Sequence, residues 1–309
     1  MTATLRIATR KSQLALWQAE HVSTLLRQAH PGLGIELVPL LTQGDRIQDR
    51  SLATIGGKGL FIKELEVAIE DLRADIAVHS MKDVPADLPN GLVIAAVLKR
   101  ADPRDALITT SGISRLEDLP QKACVGTSSL RRQAQLCALR PDLRIEALRG
   151  NVDTRLRKLD AGGMDAIVLA CAGLIRLGLE SRITARLDPK VCLPAVTQGV
   201  IGIECRSNDA RTLDLLRVLE DPPTRKVMQA ERAFAARLGG SCQSPIAAYA
   251  ELDADRIRLD GLVAEPDGSR LLRDSSSGSS ENPSALGRQL AERLLGAGAA
   301  SLLERLRAG

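Results

Sequence analysis

Ala123-Cys-Val-Gly-Thr-Ser-Ser-Leu-Arg-Arg132 begins as a short apolar run, breaks at a small polar turn and continues in helical periodicity from Ser128. The same design follows at once: the apolar run at 143–148 leads into Arg149-Gly-Asn-Val-Asp-Thr-Arg155, with a helix expected from Val152. Strand, turn and helix in that order are the building block of α/β sheets. Each turn gathers hydroxyls, backbone N–H groups and guanidinium groups at a helix start, where unpaired donors and partial positive charge favour anions. Arginine forks bond both oxygens of a carboxylate or phosphate at once. Two such turns so close together predict a ligand with several negative groups.

The alternation extends in both directions. Residues 5–9 read as a strand, followed by a helix capped by Ser12 and running to about residue 29, then a strand at 35–41. A polar, glycine-rich loop leads to a helix expected at 61–72, and short apolar strands follow at 76–79 and 92–98. A second series has strands at 106–109, 124–125, 143–148 and 166–170, with helices from Ser128, Val152 and Cys171. Such alternation predicts parallel sheets. Arg100-Ala-Asp-Pro-Arg-Asp105 and Leu193-Pro-Ala-Val-Thr-Gln-Gly199 read as crossings between lobes, after which one more strand (201–205) and a helix (209–219) are expected. A chain that leaves one α/β lobe, builds another and returns predicts two lobes with a hinge and a cleft. Ligands of open α/β sheets sit beyond the carboxyl ends of the strands.

Past Asp221-Pro-Pro-Thr224 the pattern changes. A helix from about residue 224 ends at Gly239-Gly240, and alternating stretches at 246–252, 256–264 and 270–273 precede a Ser/Gly run at 275–280 that reads as an exposed turn. This predicts a small α+β domain with an antiparallel sheet. The expected domains are 1–99 with 200–217 (first α/β lobe), 100–199 (second α/β lobe) and 218–309 (C-terminal α+β domain).

At 309 residues the chain can bury several cores. Only Phe61, Phe234, Trp17 and Tyr249 are aromatic, so stacking platforms for single-stranded nucleic acid are missing. A net charge of +4 permits local arginine clusters without a chain-wide basic footprint, so no nucleic-acid partner is expected. No apolar run reaches membrane-spanning length, and Met1-Thr-Ala-Thr-Leu-Arg-Ile7 lacks the core of a signal peptide. A cytoplasmic protein with no membrane partner is expected. The six cysteines form no C-x-x-C pair and the three histidines are scattered, so no metal site is expected. Five of the cysteines lie in apolar patterns and read as core thiols, while Cys242, in Gly239-Gly-Ser-Cys-Gln-Ser-Pro245, lies on a loop. A structural thiol and a reactive one fit that loop equally well.

Other candidates stand at strand tips. In Ile76-Ala-Val-His-Ser-Met-Lys-Asp-Val-Pro85, Lys82 and Asp83 sit at the edge of the expected cleft, either as a solvated adjacent pair at a turn or with Asp83 as a carboxylate facing a cation or a proton. Arg10 and Ser12 flank another helix start, with Ser12 as its N-cap. Gly56-Gly-Lys-Gly59 lacks the spacing of a nucleotide-binding phosphate loop and reads as a lid, with Lys58 as an anion contact.

Thr9-Arg-Lys-Ser-Gln-Leu-Ala15, Gly56-Gly-Lys-Gly-Leu-Phe61, His79-Ser-Met-Lys-Asp-Val-Pro85, Asp102-Pro-Arg-Asp105, the two arginine turns and Gly239-Gly-Ser-Cys-Gln243 together resemble the porphobilinogen deaminase (hydroxymethylbilane synthase) family, in the family's order. The resemblance implies two periplasmic-binding-protein-like lobes, a third domain and a monomer. It implies a dipyrromethane cofactor joined by a thioether to Cys242, on which four porphobilinogen units are deaminated and linked head to tail before water releases the tetrapyrrole. It makes Asp83 the catalytic carboxylate. It gives cofactor and substrate binding to Arg10, Ser12, Ser80, Lys82, Thr127, Ser128, Ser129, Arg131, Arg132, Arg149, Arg155, Arg176 and Gln198. The chain departs from the pattern at Ser241, where a glycine commonly precedes the cysteine, and at Thr197, where a glycine is common. A non-catalytic anion carrier is the rival reading, but it leaves the third domain and its loop thiol without a role.

Overall fold

The computed structural model describes residues 4–46, 59, 62–240 and 244–308. The chain divides into two compact units, Met1–Ala101 with Gly199–Arg225, and Asp102–Gln198 with Lys226–Gly309.

In the first unit, β1 (Leu5–Arg10) leads through Ser12 into α1 (Gln13–Ala29), and β2 (Ile35–Leu40) follows. The Ser12 side chain accepts the Ala15 N–H at 3.4 Å, so the expected N-cap is real. Ala15, Ala19, Val22 and Leu26 recur at helical spacing on the buried face of α1. After the short α2 (Gln43–Arg46), α3 (Lys63–Glu70) buries Leu65, Ala68 and Ile69. Leu72, at φ 59°, turns the chain just past its end. Then come β3 (Ile76–Ser80), a 3-10 turn at Met81–Asp83 and β4 (Leu92–Val97). Ile7, Ile76 and Val78 pack with α1, while Ala8 and Ala77 pack with α3, so both sheet faces are covered.

The second unit starts with β5 (Asp105–Thr109) and β6 (Cys124–Gly126), then α4 (Leu130–Leu139), β7 (Arg144–Glu146) and α5 (Val152–Asp160). β8 (Ala166–Ala170), α6 (Cys171–Arg176) and the two-residue β9 (Ala185–Arg186) complete this sheet, in the order β7-β6-β8-β5-β9. The chain returns to the first unit with β10 (Ile201–Arg206) and α7 (Ala210–Arg217), giving that sheet the order β2-β1-β3-β10-β4.

Neither sheet is wholly parallel, which corrects the expectation from the alternation. β10 runs antiparallel to β3 and β4, and β5 antiparallel to β8 and β9. Parallel neighbours need a helical crossover. These two strands are instead entered directly from the two crossings, so nothing forces them to share the direction of their neighbours.

α8 (Pro222–Leu238) ends as its glycines predict: Gly239 has φ 63°, and the Gly240 N–H reaches back to the Ala235 carbonyl at 3.0 Å. The strands β11 (Ile246–Asp253), β12 (Arg256–Ala264) and β13 (Leu271–Ser279) form an antiparallel sheet, backed by α8 and α9 (Pro283–Leu294) and followed by α10 (Ala300–Ala308). Phe234 is fully buried in this core. Gly287 lets α9 approach α8 closely, since a Cβ there would lie 2.1 Å from the Ala230 carbonyl oxygen. The Ser/Gly run is not a turn. Most of it lies in β13, because the edge of β12 supplies backbone partners from Arg256 to Ala264 and small hydroxyl side chains suit an exposed edge strand.

Among the described residues no helix is long and apolar enough to cross a membrane. The thiols of Cys124, Cys171, Cys192 and Cys205 are buried as expected, whereas Cys137 is only half-buried.

Candidate active site

In the first unit, the tips of β1 and β3 and the start of α1 enclose a small cavity of about 60 Å³, lined by Arg10, Ser12, Gln18, His79, Ser80 and Asp83 among others. The sheet explains the grouping. β1 and β3 are parallel neighbours, so their carboxyl ends finish side by side. The turn carrying Asp83 is tied down, because the Met81 N–H donates to the Val200 carbonyl at 3.0 Å and the Val84 N–H to the Met81 carbonyl at 3.2 Å. Gln18 donates to the Ser80 hydroxyl at 2.8 Å. Arg10 pairs with Asp45 through two hydrogen bonds. Burial pushes the Asp45 carboxyl up, but Arg10 and Thr42 outweigh it and hold the group below the usual carboxylate range. Lys82 lies in the same turn as Asp83. Lys58 falls outside the described residues.

The arginine turns of the second unit take the expected strand–turn–helix form. Ser129 caps α4 and accepts the Arg132 N–H at 3.4 Å. The Ser128 hydroxyl donates to the Leu148 carbonyl at 2.9 Å and so links the two turns. The Ser129 N–H donates to the Thr127 hydroxyl at 3.2 Å. In the second turn Gly150 has φ 108°, a conformation open to glycine at no steric cost, and Arg155 donates back to its carbonyl at 2.7 Å. Arg149 precedes that glycine.

Arg131 and Arg132 do not project into solvent: they are 4% and 6% exposed. Both grip Asp105, Arg131 through Nη1 at 2.7 Å and Arg132 through Nε at 3.1 Å and Nη2 at 2.7 Å. Gln198 adds a fourth hydrogen bond to Asp105, at 2.9 Å. Burial alone would raise the Asp105 carboxyl, yet the two guanidinium groups hold it far below the usual carboxylate range. Two cations on one carboxylate leave a net positive charge in a dry setting, suited to one further anionic group. Burial also lowers the Arg176 guanidinium, at the end of α6, to about 10. A bound anion would reverse that shift.

Gln18, Asp45, Asp105 and the His79–Glu204 pair were not singled out from the sequence. Asp105 stands in the quoted Asp102-Pro-Arg-Asp105, but nothing local shows that it receives two arginines from 26 and 27 residues away. Cys242 falls outside the described residues.

Residues 5–214 match the family model described as porphobilinogen deaminase, dipyromethane cofactor binding domain, and residues 226–296 match the porphobilinogen deaminase C-terminal domain. The chain belongs to the porphobilinogen deaminase family. Porphobilinogen deaminases of Xanthomonas campestris pv. campestris and Xanthomonas axonopodis pv. citri are 57% and 56% identical to it over 303 residues, covering 98% of this chain and 99% of each relative. It is a transferase of porphyrin biosynthesis with a dipyrromethane cofactor and porphobilinogen as substrate. Among solved structures, a TRAP periplasmic solute binding protein from Desulfovibrio salexigens is similar at a TM-score of 0.45 and 13% identity, over 73% of each chain.

The departure from the family pattern at Thr197 has a structural cost. Thr197 is buried and has φ 59°, a left-handed conformation hard for a β-branched residue. Its N–H donates to Glu231 at 2.6 Å, which holds the conformation in place. Left-handed backbone costs an L residue roughly 1–2 kcal/mol, offset on change to glycine by about 0.5–1 kcal/mol of unfolded-chain entropy. Thr197→Gly is therefore expected to stabilise the protein by about 0.5–1 kcal/mol, raising Tm by roughly 2 °C. A lower melting temperature would contradict this account of the strain.

Proposed function

We propose that this protein deaminates four porphobilinogen molecules and joins them head to tail on a dipyrromethane primer held by a thioether to Cys242, then releases the linear tetrapyrrole hydroxymethylbilane by hydrolysis. One observation carries the reading: a carboxylate, Asp83, shares a small cavity with Arg10, Ser12 and Ser80 in a chain whose family model is a dipyromethane cofactor binding domain. Each pyrrole carries two carboxylates, so the ligand grows more anionic with every addition.

The residues fit such a group. Arg10, Ser12, Ser80 and Lys82 of the first unit bind pyrrole side chains. In the second unit that role falls to Thr127, Ser128, Ser129, Arg131, Arg132, Arg149, Arg155, Arg176 and Gln198. The net charge left over at Asp105 and the desolvated Arg176 support this assignment. Lys58, which lies outside the described residues, contributes an anion contact in this reading. When bound, the dipyrromethane supplies the free pyrrole carbon that receives the first unit. Asp83 balances the positive charge that develops on the substrate as its amine departs, because a fixed carboxylate stabilises a cation best where water is scarce. The same carboxylate then accepts the proton released where the new carbon–carbon bond forms.

We also infer three domains, 1–99 with 200–217, 100–199 and 218–309, supported by three separate sheets with their own apolar clusters. The protein acts as a cytoplasmic monomer, without nucleic-acid or membrane partners.

Intact mass spectrometry tests the primer directly. The purified protein is expected to carry the added mass of two linked pyrroles, and Cys242→Ser to lose both that mass and turnover. An active protein of unmodified mass would overturn the reading.

A further inference from the structure

The layer between the first sheet and α3 is built from small and aliphatic side chains, Ala8 and Ala77 of the sheet against Leu65, Ala68 and Ile69 of α3, yet it buries three ionisable groups. His79 of β3 holds Glu204 of β10 at 2.8 Å, with side chains 3% and 0% exposed. The second Glu204 oxygen, Oε1, is buried without a hydrogen-bond partner among the described residues. Glu66 of α3 is buried nearby, and burial together with the charge of Glu204 pushes its carboxyl up to about 7. An ionisable trio in an apolar layer is expensive, and the fold could fill that space with aliphatic side chains. Its position suggests why it is there. His79 lies four residues before Asp83 and lines the same cavity.

We propose, on the functional reading above, that His79, oriented by Glu204, resets Asp83 between rounds by carrying away the proton that Asp83 has taken up. The C–H bond at the newly joined carbon breaks, its electron pair restores the pyrrole ring, and the proton passes to the Asp83 carboxylate. It then moves to the His79 ring nitrogen that does not face Glu204, and the Glu204 carboxylate balances the charge on the ring. Ammonia released in the same round takes that proton and leaves as ammonium, so each round begins from the same protonation state. One carboxylate serving four additions needs such a reset. The charged groups around this relay are Glu204 on β10, Glu66 on α3, which itself feels Glu204, Glu70 and Lys63, and Asp83 and Arg10 in the cavity.

The test uses primer-loaded protein, verified by intact mass and thermal melting. His79→Gln and Glu204→Gln are each expected to lower kcat, by about 10²-fold for His79→Gln, with little change in KM. The double variant should cost no more than His79→Gln alone, because the two residues act as one unit. The pH profile of kcat should change shape in loaded His79→Gln relative to the parent. With three histidines in the chain, ring NMR signals give a readout apart from turnover: one signal should shift in Asp83→Asn and vanish in His79→Gln. Wild-type kcat and pH profile in loaded His79→Gln would overturn the relay while leaving the proposed function intact. Should His79→Gln not fold, unchanged kcat in Glu204→Gln together with no signal responding to Asp83→Asn would overturn it equally. A wild-type protein that consumes no porphobilinogen would instead overturn the functional reading, and the relay with it.

Discussion

An Asp83→Asn protein is expected to fold, load its primer and turn over porphobilinogen about 10³-fold more slowly than the parent. The amide has the shape of the carboxylate, and the turn that carries it is held by backbone hydrogen bonds from Met81 to Val200 and from Val84 to Met81, none of which involves the Asp83 side chain. What changes is chemistry: an amide neither balances a developing cation nor accepts a proton at neutral pH. The loss should fall on kcat, since the residues proposed to bind anions remain. Saturating kinetics on protein of verified mass checks this, and a kcat within tenfold of the parent would remove Asp83 from the mechanism.

Asp105→Asn should cost about 3–5 kcal/mol of stability, on the order of 10 °C in Tm, although Asp105 lies in no helix or turn whose shape depends on it. The substitution leaves two buried guanidinium groups facing a neutral amide. The size of the effect comes from those unpaired cations rather than from the net worth of the pair. A pH signature accompanies it. Asp105 has its pKa depressed in the folded state, so its stabilising contribution is complete above the usual carboxylate range and declines steadily as pH falls from that range toward its depressed folded value. Asp45, Asp75 and Asp102 act in the same sense, each held low by an arginine against the effect of burial. Glu66 acts in the opposite sense: raised to about 7, it favours the fold below the usual carboxylate range and loses that contribution as pH rises toward 7. Parent stability should therefore peak on the acid side of neutrality, and Asp105→Asn should flatten the acid limb. Chemical denaturation across pH would show this, and an Asp105→Asn protein as stable as the parent would exclude the charge account.

Much of the fold was legible because short-range rules govern it. Ser12 and Ser129 cap helices where a hydroxyl precedes apolar periodicity, and Gly239-Gly240 stops α8 because a glycine takes the left-handed turn freely. The Ser/Gly run was misread because its composition suits a turn, whereas its strand character comes from pairing with β12. The directions of β5 and β10 were misread for a similar reason, since alternation fixes the order of elements but not the sense in which a returning strand enters a sheet.

The same division runs through the site. The chain alone determined which chemistry is available: a carboxylate after a strand tip, and hydroxyls and arginines at helix starts, each set by neighbours within a few residues. Only the tertiary structure decided that Arg131 and Arg132 share one buried carboxylate with Gln198, and that His79 meets Glu204 from 125 residues away. Those pairings depend on which strands become neighbours, and sheet order is settled by packing over the whole unit rather than by any local pattern of residues.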